Sequence, residues 1–110
     1  MQPQPRAWNA ARARVVKALA HPTRLFVVDE LAEHGQKCVC ELTALIGADM
    51  STVSRHLTIL KNAGLVRDTR RGSQVFYQLR RDGVVRFLDC VDALMRQAAQ
   101  DQQDQLRAIQ

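Results

Sequence analysis

Residues 51–66 read STVSRHLTILKNAGLV and contain a short amphipathic segment. Its apolar residues recur at the spacing of one helix face, and they are Val53, Leu57, Leu60 and Leu65. We expect Ser51 to cap the start of this helix, because a serine hydroxyl can accept a hydrogen bond from a free N–H group of the first turn. The run Asn62-Ala63-Gly64 is typical of a helix end. The segment therefore predicts a helix of about three turns.

Residues 70–79 read RRGSQVFYQL, and here the hydrophobic pattern changes. Val75–Leu79 and Leu65–Arg67 are rich in β-forming residues, and the polar run Arg70–Ser73 lies between them. This order predicts a β-hairpin with a basic tip.

A shorter helix is predicted directly before residue 51. Leu42, Leu45 and Ile46 fit one helix face, and Gly47 is a stop signal. Two short helices with a tight glycine-containing connection are the pattern of a helix-turn-helix.

Three further helices complete the expected fold. The apolar spacing predicts them at about residues 7–19, at about 22–34 and from Asp82 onward. The predicted fold class is mainly α with a small β-hairpin, namely a winged helix-turn-helix of five helices and a two-stranded wing. The apolar stripes of the first and last helices exceed what a small core can cover, so we expect a dimer.

The length and composition fit one domain. The chain has 110 residues, of which 46% are hydrophobic. We expect a single winged-helix domain over residues 1–110, with a core at about 8–95 and flexible ends at about 1–6 and 98–110. No apolar run approaches the roughly 18 residues of a membrane-spanning helix, and the start is polar, so we expect a cytoplasmic protein without a membrane partner.

The charge is concentrated in two basic patches. Lys and Arg number 16 against 11 Asp and Glu, which gives a net charge of +5. Residues 1–19 hold four basic and no acidic side chains, and residues 65–81 hold five arginines and one aspartate. Such patches favour a polyanion partner, and beside a helix-turn-helix that partner is double-stranded DNA.

The start of the second helix of a helix-turn-helix meets base edges in the major groove. Serine and threonine are short hydrogen-bonding groups, and arginine can bind guanine through two hydrogen bonds. The hairpin tip is expected to add contacts to phosphates or to the minor groove. The candidate DNA-binding residues are Ser51, Thr52, Ser54, Arg55, His56, Arg70 and Arg71.

Three cysteines are the remaining chemical feature, and Cys38 and Cys40 are two positions apart. Side chains two apart on a regular helix point about 200° away from each other, so both thiols can bind one ion only where the backbone is bent or extended. We expect an accessible Cys38. We also expect a thiol pKa lowered by the start of the following helix, which favours the thiolate that soft ions require.

The chain also contains ALAHPTRL at 18–25 and KCVCEL at 37–42. Together with 51–66 and 70–79, these motifs resemble the ArsR/SmtB family of winged helix-turn-helix, metal-responsive transcriptional repressors, over about residues 8–95. The resemblance implies a homodimer held by the first and last helices and a palindromic operator read at positions about 34 Å apart. It also implies repression that is relieved by an inducer, with no cofactor required.

In that family a Cys-Val-Cys-acid-Leu stretch at this place marks sensors of trivalent arsenic and antimony. The resemblance therefore implies Cys38 and Cys40 as ligands of the inducer. Those sensors carry a third thiol three residues later, where this chain has Thr43. Either two thiols suffice, as they could for a monosubstituted arsenical or for a site completed by a small thiol, or Cys90 on the last helix of one or the other chain supplies the third. Zinc sites of the family use Asp and His on the last helix, and the absence of any histidine after His56 disfavours them.

Other functions stay open at this point. One is a repressor that senses oxidants or reactive sulfur, in which Cys90 pairs with Cys38 or Cys40. Another is a helix-turn-helix used only for protein contacts, which predicts little salt-dependent DNA binding. A cysteine enzyme would need a base and an orienting residue that the sequence does not offer, so we expect no enzymatic activity.

Overall fold

The structure, a computed structural model, describes residues 5–109 as five helices and three strands. In chain order the elements are α1 (Pro5–Leu19), α2 (Pro22–His34), β1 (Gln36–Cys38), α3 (Val39–Ile46), α4 (Met50–Asn62), β2 (Val66–Arg71), β3 (Gln74–Leu79) and α5 (Gly83–Ile109). The mainly helical fold with a helix-turn-helix, α3 and α4, and a hairpin wing, β2 and β3, is the one that the sequence predicts.

The sheet has one strand more than the predicted two-stranded wing. Its order is β1-β3-β2, and both pairings are antiparallel. In the β1–β3 pairing Cys38 lies opposite Phe76. The sequence analysis missed β1 because it is three residues long and its partner lies about 40 positions away, a distance at which periodicity carries no signal.

The core lies where α2, α3 and α4 meet the sheet. Its largest fully buried side chains are Leu31, Leu42, Leu57, Leu60, Val27, Val28, Val53 and Val66. Three of the four apolar residues that define the predicted helix at 51–66 are in this set. Burial of this face fixes the opposite face of α4 toward solvent.

The connection between α1 and α2 is held by two polar side chains. His21 is the N-cap of α2, and its Nδ1 accepts a hydrogen bond from the Thr23 N–H at 3.1 Å. Arg24 donates from Nη1 to the Ala18 carbonyl at 3.2 Å and so satisfies an acceptor at the end of α1. Pro22 occupies the first turn of α2, as its fixed φ favours.

Helix α5 is longer than expected, because it continues to Ile109 through the stretch expected to be flexible from about residue 98. Side-chain hydrogen bonds between residues four apart support this polar part: Gln97 donates to Asp101 at 2.9 Å, and Gln100 donates to Asp104 at 3.0 Å. Of the expected flexible start at 1–6, residues 1–4 lie outside the described residues, and α1 begins at Pro5.

A large apolar surface remains exposed on α1 and α5. Its exposed side chains are Trp8, Val15, Val16, Phe87, Leu94 and Met95. Leu94 is 70% exposed, which is unusual for a leucine of a monomeric protein when its neighbours are also apolar. This surface lies where the sequence analysis expects the dimer contact. Within residues 5–109, no helix has both the length and the apolar character needed to cross a membrane.

The side chain of His56 on α4 packs against His21, with the two ring centroids 4.4 Å apart. Burial, followed by the charges of His21, Arg24 and Arg55, lowers the pKa of His56 below its usual value of 6.5. The unfolded chain therefore binds a proton at this position more readily than the folded chain does. Stability is retained above the usual histidine pKa and is lost as the pH falls from there toward the lower folded-state pKa.

We accordingly expect the free energy of unfolding, measured with urea, to fall between about pH 7.5 and pH 5.5. The variant His56→Gln should show a smaller fall, because it removes the group that resists protonation. The variant His34→Gln, at an exposed position of α2, is the matched control and should keep the full fall. An undiminished pH dependence in His56→Gln would contradict the assignment.

Candidate nucleic-acid interface and thiol site

The turn of the helix-turn-helix depends on Gly47. This residue has a φ of 78°, a left-handed conformation that favours glycine, and its N–H bonds to the Thr43 carbonyl to close α3. The chain then reverses over three residues into α4. Helix α3 packs directly on α4, and the two helices form the helix-turn-helix.

The first turn of α4 is organised by Asp49 rather than by Ser51. Asp49 is the N-cap residue, and its carboxylate accepts hydrogen bonds from the hydroxyls of Ser51 and Thr52. These two hydrogen bonds, Ser51 first, lower the pKa of Asp49. The prediction of Ser51 as the N-cap is wrong, because α4 begins at Met50 and the extended residue before it is Asp49, whose side chain makes no hydrogen bond to a backbone N–H of the first turn.

The candidate DNA-binding residues of α4 differ in their solvent exposure. Ser51 and Arg55 are exposed, whereas Thr52 and Ser54 are half-buried. His56 is also half-buried, and its Nδ1 is enclosed without a hydrogen-bond partner among the described residues. Of these five candidates, Arg55 is the longest exposed side chain.

The arginines of the hairpin lie at the end of β2 rather than inside the turn. Arg70 pairs with Val75 and Arg71 with Gln74, and only Gly72 and Ser73 remain between the strands. Both arginines are exposed. The Arg71 guanidinium lies 5.0 Å from the centre of the Phe76 ring, a cation–π distance. The wing thus projects two positive charges from a defined strand.

The two thiols of Cys38 and Cys40 meet. Cys38 ends β1 and is the N-cap of α3, with φ −80° and ψ 161°, which is extended backbone. Because of this extended conformation the two side chains converge, and their Sγ atoms are 2.9 Å apart. The spacing of the two cysteines requires an extended or bent backbone at the helix start if both thiols are to bind one ion. The backbone at Cys38 is extended.

The two cysteines differ in exposure. Cys40 is exposed, but Cys38 is only 4% exposed. The expectation of an accessible Cys38 is therefore wrong, because the pairing of β1 with β3 covers this side chain. A partner must approach the pair from the Cys40 side.

The pKa of Cys38 is raised, not lowered. The hydrogen bond with Cys40 is the main cause and burial is the second, and together they outweigh the backbone hydrogen bond from Glu41. Glu41 in turn accepts a hydrogen bond from the Cys38 N–H at 3.1 Å, which lowers the pKa of Glu41. The expectation of a lowered thiol pKa is therefore wrong for Cys38.

The structure does not bring Cys90 of the same protomer to the thiol pair. Among residues 5–109, no third His, Cys, Asp or Glu places a ligand atom within 4.8 Å of both sulfurs. Thr43, which stands where a third thiol is expected in the resemblance, donates its hydroxyl to the Val39 carbonyl at 2.7 Å. Cys90 is exposed on α5, which packs against α2.

One polar neighbour of the pair escaped the sequence analysis. The amide Nε2 of Gln74, the first residue of β3, lies 4.0 Å from the Sγ of Cys40. No motif marks this residue, because the contact exists only once β1 has paired with β3.

Comparison with known proteins identifies the family. Residues 21–68 match the family described as bacterial regulatory protein, arsR family. The solution structure of a homodimeric winged helix-turn-helix DNA-binding domain from Mycobacterium bovis, a possible ArsR-family transcriptional regulator, is 32% identical with a TM-score of 0.74. The match covers 87% of this chain and 91% of that one. The chain belongs to the ArsR family.

Two further matches carry names that refer to metalloids. The arsenical resistance operon repressor of Escherichia coli K12 is 39% identical over 66 residues, which are 60% of this chain and 56% of that protein. The chain therefore spans about half the length of this relative. The crystal structure of AntR, an antimony-specific transcriptional repressor, is 28% identical with a TM-score of 0.71, covering 91% of this chain and 98% of that chain.

These matches confirm the family that the sequence motifs resemble. The family consists of DNA-binding transcriptional regulators, which also confirms the prediction of a regulator in place of an enzyme.

Proposed function

We propose that this protein is a homodimeric transcriptional repressor that releases a palindromic operator when trivalent arsenic or antimony binds to Cys38 and Cys40. The observation that carries the proposal is the pair of sulfur atoms 2.9 Å apart at the start of the helix that packs on α4. The names of the Escherichia coli repressor and of AntR support this choice of inducer.

DNA binding is assigned to the first turn of α4 and to the wing. The reading helix is buried through Val53, Leu57 and Leu60, so its polar face is available for the major groove. Ser51, Thr52, Ser54, Arg55 and His56 form the candidate contact set on α4, and Arg70 and Arg71 form the set on the wing. The Asp49 carboxylate fixes the hydroxyls of Ser51 and Thr52 and disfavours a phosphate directly at the helix start, so Arg55 and the wing carry the phosphate contacts.

The second copy of the chain is assigned to the exposed apolar surface of α1 and α5. Covering side chains such as Phe87 and Leu94 stabilises a dimer by about 25 cal/mol per Å² of apolar surface removed from water. A two-fold dimer presents two copies of α4, which matches the symmetry of a palindrome.

The chemistry of the thiol pair favours a metalloid hydroxide over a divalent cation. A divalent cation must displace the thiol protons into solvent, which costs free energy when a thiol pKa is raised, as it is for Cys38. Arsenious acid instead loses one hydroxide for each thiol that it binds, and each thiol proton leaves in the water formed. The thiol of Cys38, whose pKa is raised, can therefore react with this ligand without first losing its proton to solvent.

Ligand binding is coupled to DNA binding through two neighbours of the pair. Cys40 lies in the first turn of α3, which packs on α4, and Cys38 belongs to β1, which pairs with wing strand β3. A ligand that pulls the two sulfurs into its own geometry shifts both contacts. By linkage, the factor by which the ligand weakens operator binding equals the factor by which operator weakens ligand binding. The coupling free energy that corresponds to this factor is typically about 1–3 kcal/mol.

The same sulfur geometry favours a second candidate, a redox-sensing repressor. Two thiols 2.9 Å apart can be oxidised to a disulfide by hydrogen peroxide, which is itself reduced to two molecules of water. The form of this candidate that pairs Cys90 with Cys38 or Cys40 within one protomer is disfavoured by the placement of Cys90 on α5. A loss of operator binding after peroxide treatment that dithiothreitol reverses would favour this function.

The wing prediction concerns salt dependence. Replacing both Arg70 and Arg71 with alanine should reduce the slope of log affinity against log salt by up to about 1.8, since each lost phosphate contact contributes about 0.9. The measurement is fluorescence anisotropy with duplex DNA from upstream of the protein's own gene, at several salt concentrations. The control is Arg107→Ala, an exposed arginine at the end of α5. A slope equal to that of the control would remove the wing from the interface.

The inducer prediction concerns the three cysteines. Cys38→Ser and Cys40→Ser should bind operator but fail to release it with arsenite or antimonite, whereas the wild-type protein should lose about 5- to 150-fold in operator affinity. Cys90→Ser is the matched control and should release operator like the wild type. The reduced proteins are compared by fluorescence anisotropy, and Cys40→Ser is the more informative variant because Cys40 is exposed and its replacement leaves the core unchanged. A response lost only in Cys90→Ser would move the site to α5.

A further inference from the structure

The position of Gln74 relative to the thiol pair follows from its own pairing with β2 and from the pairing of its strand with β1. Gln74 lies opposite Arg71 in the β2–β3 pairing, and two residues further along β3 Phe76 lies opposite Cys38 in the β1–β3 pairing. Residues i and i+2 of a strand share a face of the sheet, so Gln74 is on the same face as Phe76. This register brings the amide Nε2 of Gln74 to 4.0 Å from the Cys40 Sγ.

Gln74 is the polar group that is best placed to meet a ligand of the thiol pair. Among residues 5–109, its amide is the one side-chain N–H group that hydrogen-bonds to either sulfur. Both Gln74 and Cys40 are exposed, and the buried Cys38 closes the opposite side. A ligand that enters from solvent therefore meets the two sulfurs and this amide together.

A trivalent arsenic compound that binds two thiols keeps one further substituent on arsenic. Arsenious acid, As(OH)₃, reacts with two thiols to form two As–S bonds and to break two As–O bonds, and two molecules of water leave with the thiol protons. Arsenic stays trivalent and keeps one hydroxyl group. A monosubstituted arsenical such as phenylarsine oxide also forms two As–S bonds and releases one molecule of water, but the group that remains on arsenic is a phenyl ring.

We propose that Gln74 determines specificity at this site, because its side-chain amide hydrogen-bonds the hydroxyl that remains on an inorganic trivalent arsenic or antimony held by Cys38 and Cys40. The inference rests on the proposed function. A hydroxyl both donates and accepts, and a glutamine amide offers both partners. A phenyl or methyl substituent offers neither, so the amide selects inorganic metalloid acids over organic arsenicals.

The test compares two ligands on two proteins. Calorimetric titration of the reduced, DNA-free full chain gives the affinities for arsenite and for phenylarsine oxide. Gln74→Leu keeps the size of the side chain and removes its hydrogen bonds, and it should weaken arsenite binding by about 3- to 10-fold, the effect of one hydrogen bond. The affinity for phenylarsine oxide should stay within about twofold, since that complex makes no such bond.

The matched control is Gln97→Leu, the same replacement at an exposed position of α5. It should leave both affinities unchanged, and thermal unfolding of both variants verifies that the fold is retained. Equal changes for the two arsenicals in Gln74→Leu, or no change for either, would overturn the role of Gln74 while the thiol site stands. A wild-type protein that binds neither arsenical, like Cys40→Ser, would overturn the proposed function itself.

Discussion

The pairing of β1 with β3 is the constraint on which the rest of the thiol site depends. It holds Gln36–Cys38 in an extended conformation up to the residue where α3 begins. On a regular helix, side chains two positions apart diverge, so the extended backbone at Cys38 is what lets the two sulfurs meet. A slip of one residue would turn the Cys38 side chain to the other face of the sheet. Three residues of strand therefore decide whether the two sulfurs meet.

Cys38 is also the N-cap residue of α3, so the chemistry of the thiol site is joined to the stability of this helix. The Cys38 N–H is bound by the Glu41 carboxylate, and this hydrogen bond satisfies one of the free donors of the first turn. Helix α3 has only eight residues, so packing rather than intrinsic propensity maintains it. On the proposed function, a ligand that takes the Cys38 sulfur acts on the residue at which this short helix starts. The effect on α3 is correspondingly direct.

Local sequence patterns predict those helices and turns whose own residues carry the pattern. The helical spacing of Val53, Leu57 and Leu60, and the glycine that closes α3, place the helix-turn-helix because they act within a few residues. The choice between Asp49 and Ser51 as the N-cap could not be made in this way, since both residue types cap helices and lie two positions apart. The polar end of α5 is stabilised by Gln–Asp hydrogen bonds between residues four apart, and these pairs are a weaker signal for a helix than an apolar stripe is.

The features of the candidate site that could not be predicted from the sequence arise from pairing between distant segments. The burial of Cys38, its raised pKa and the contact of Gln74 with Cys40 all follow from β1 joining β3. The convergence of the two sulfurs could be stated only as a condition, namely that the backbone is extended there. The meeting of that condition depends on residues 76–78, about 40 positions downstream. The site is therefore a product of tertiary structure, even though its two cysteines are neighbours in the chain.

On the proposed function, the thiol pair lies between two DNA-binding elements, α4 and the wing, and this placement bears on how a small ligand could control a large DNA interface. Packed elements move as units, so a displacement at their junction is passed on rather than absorbed locally. Helix α3 carries it to α4, and β1 carries it to β3, whose Phe76 lies beneath the Arg71 guanidinium. Specific binding requires both elements in register on the same duplex. On this function, a shift that changes the relative position of α4 and the wing weakens operator binding even if each element keeps its own shape.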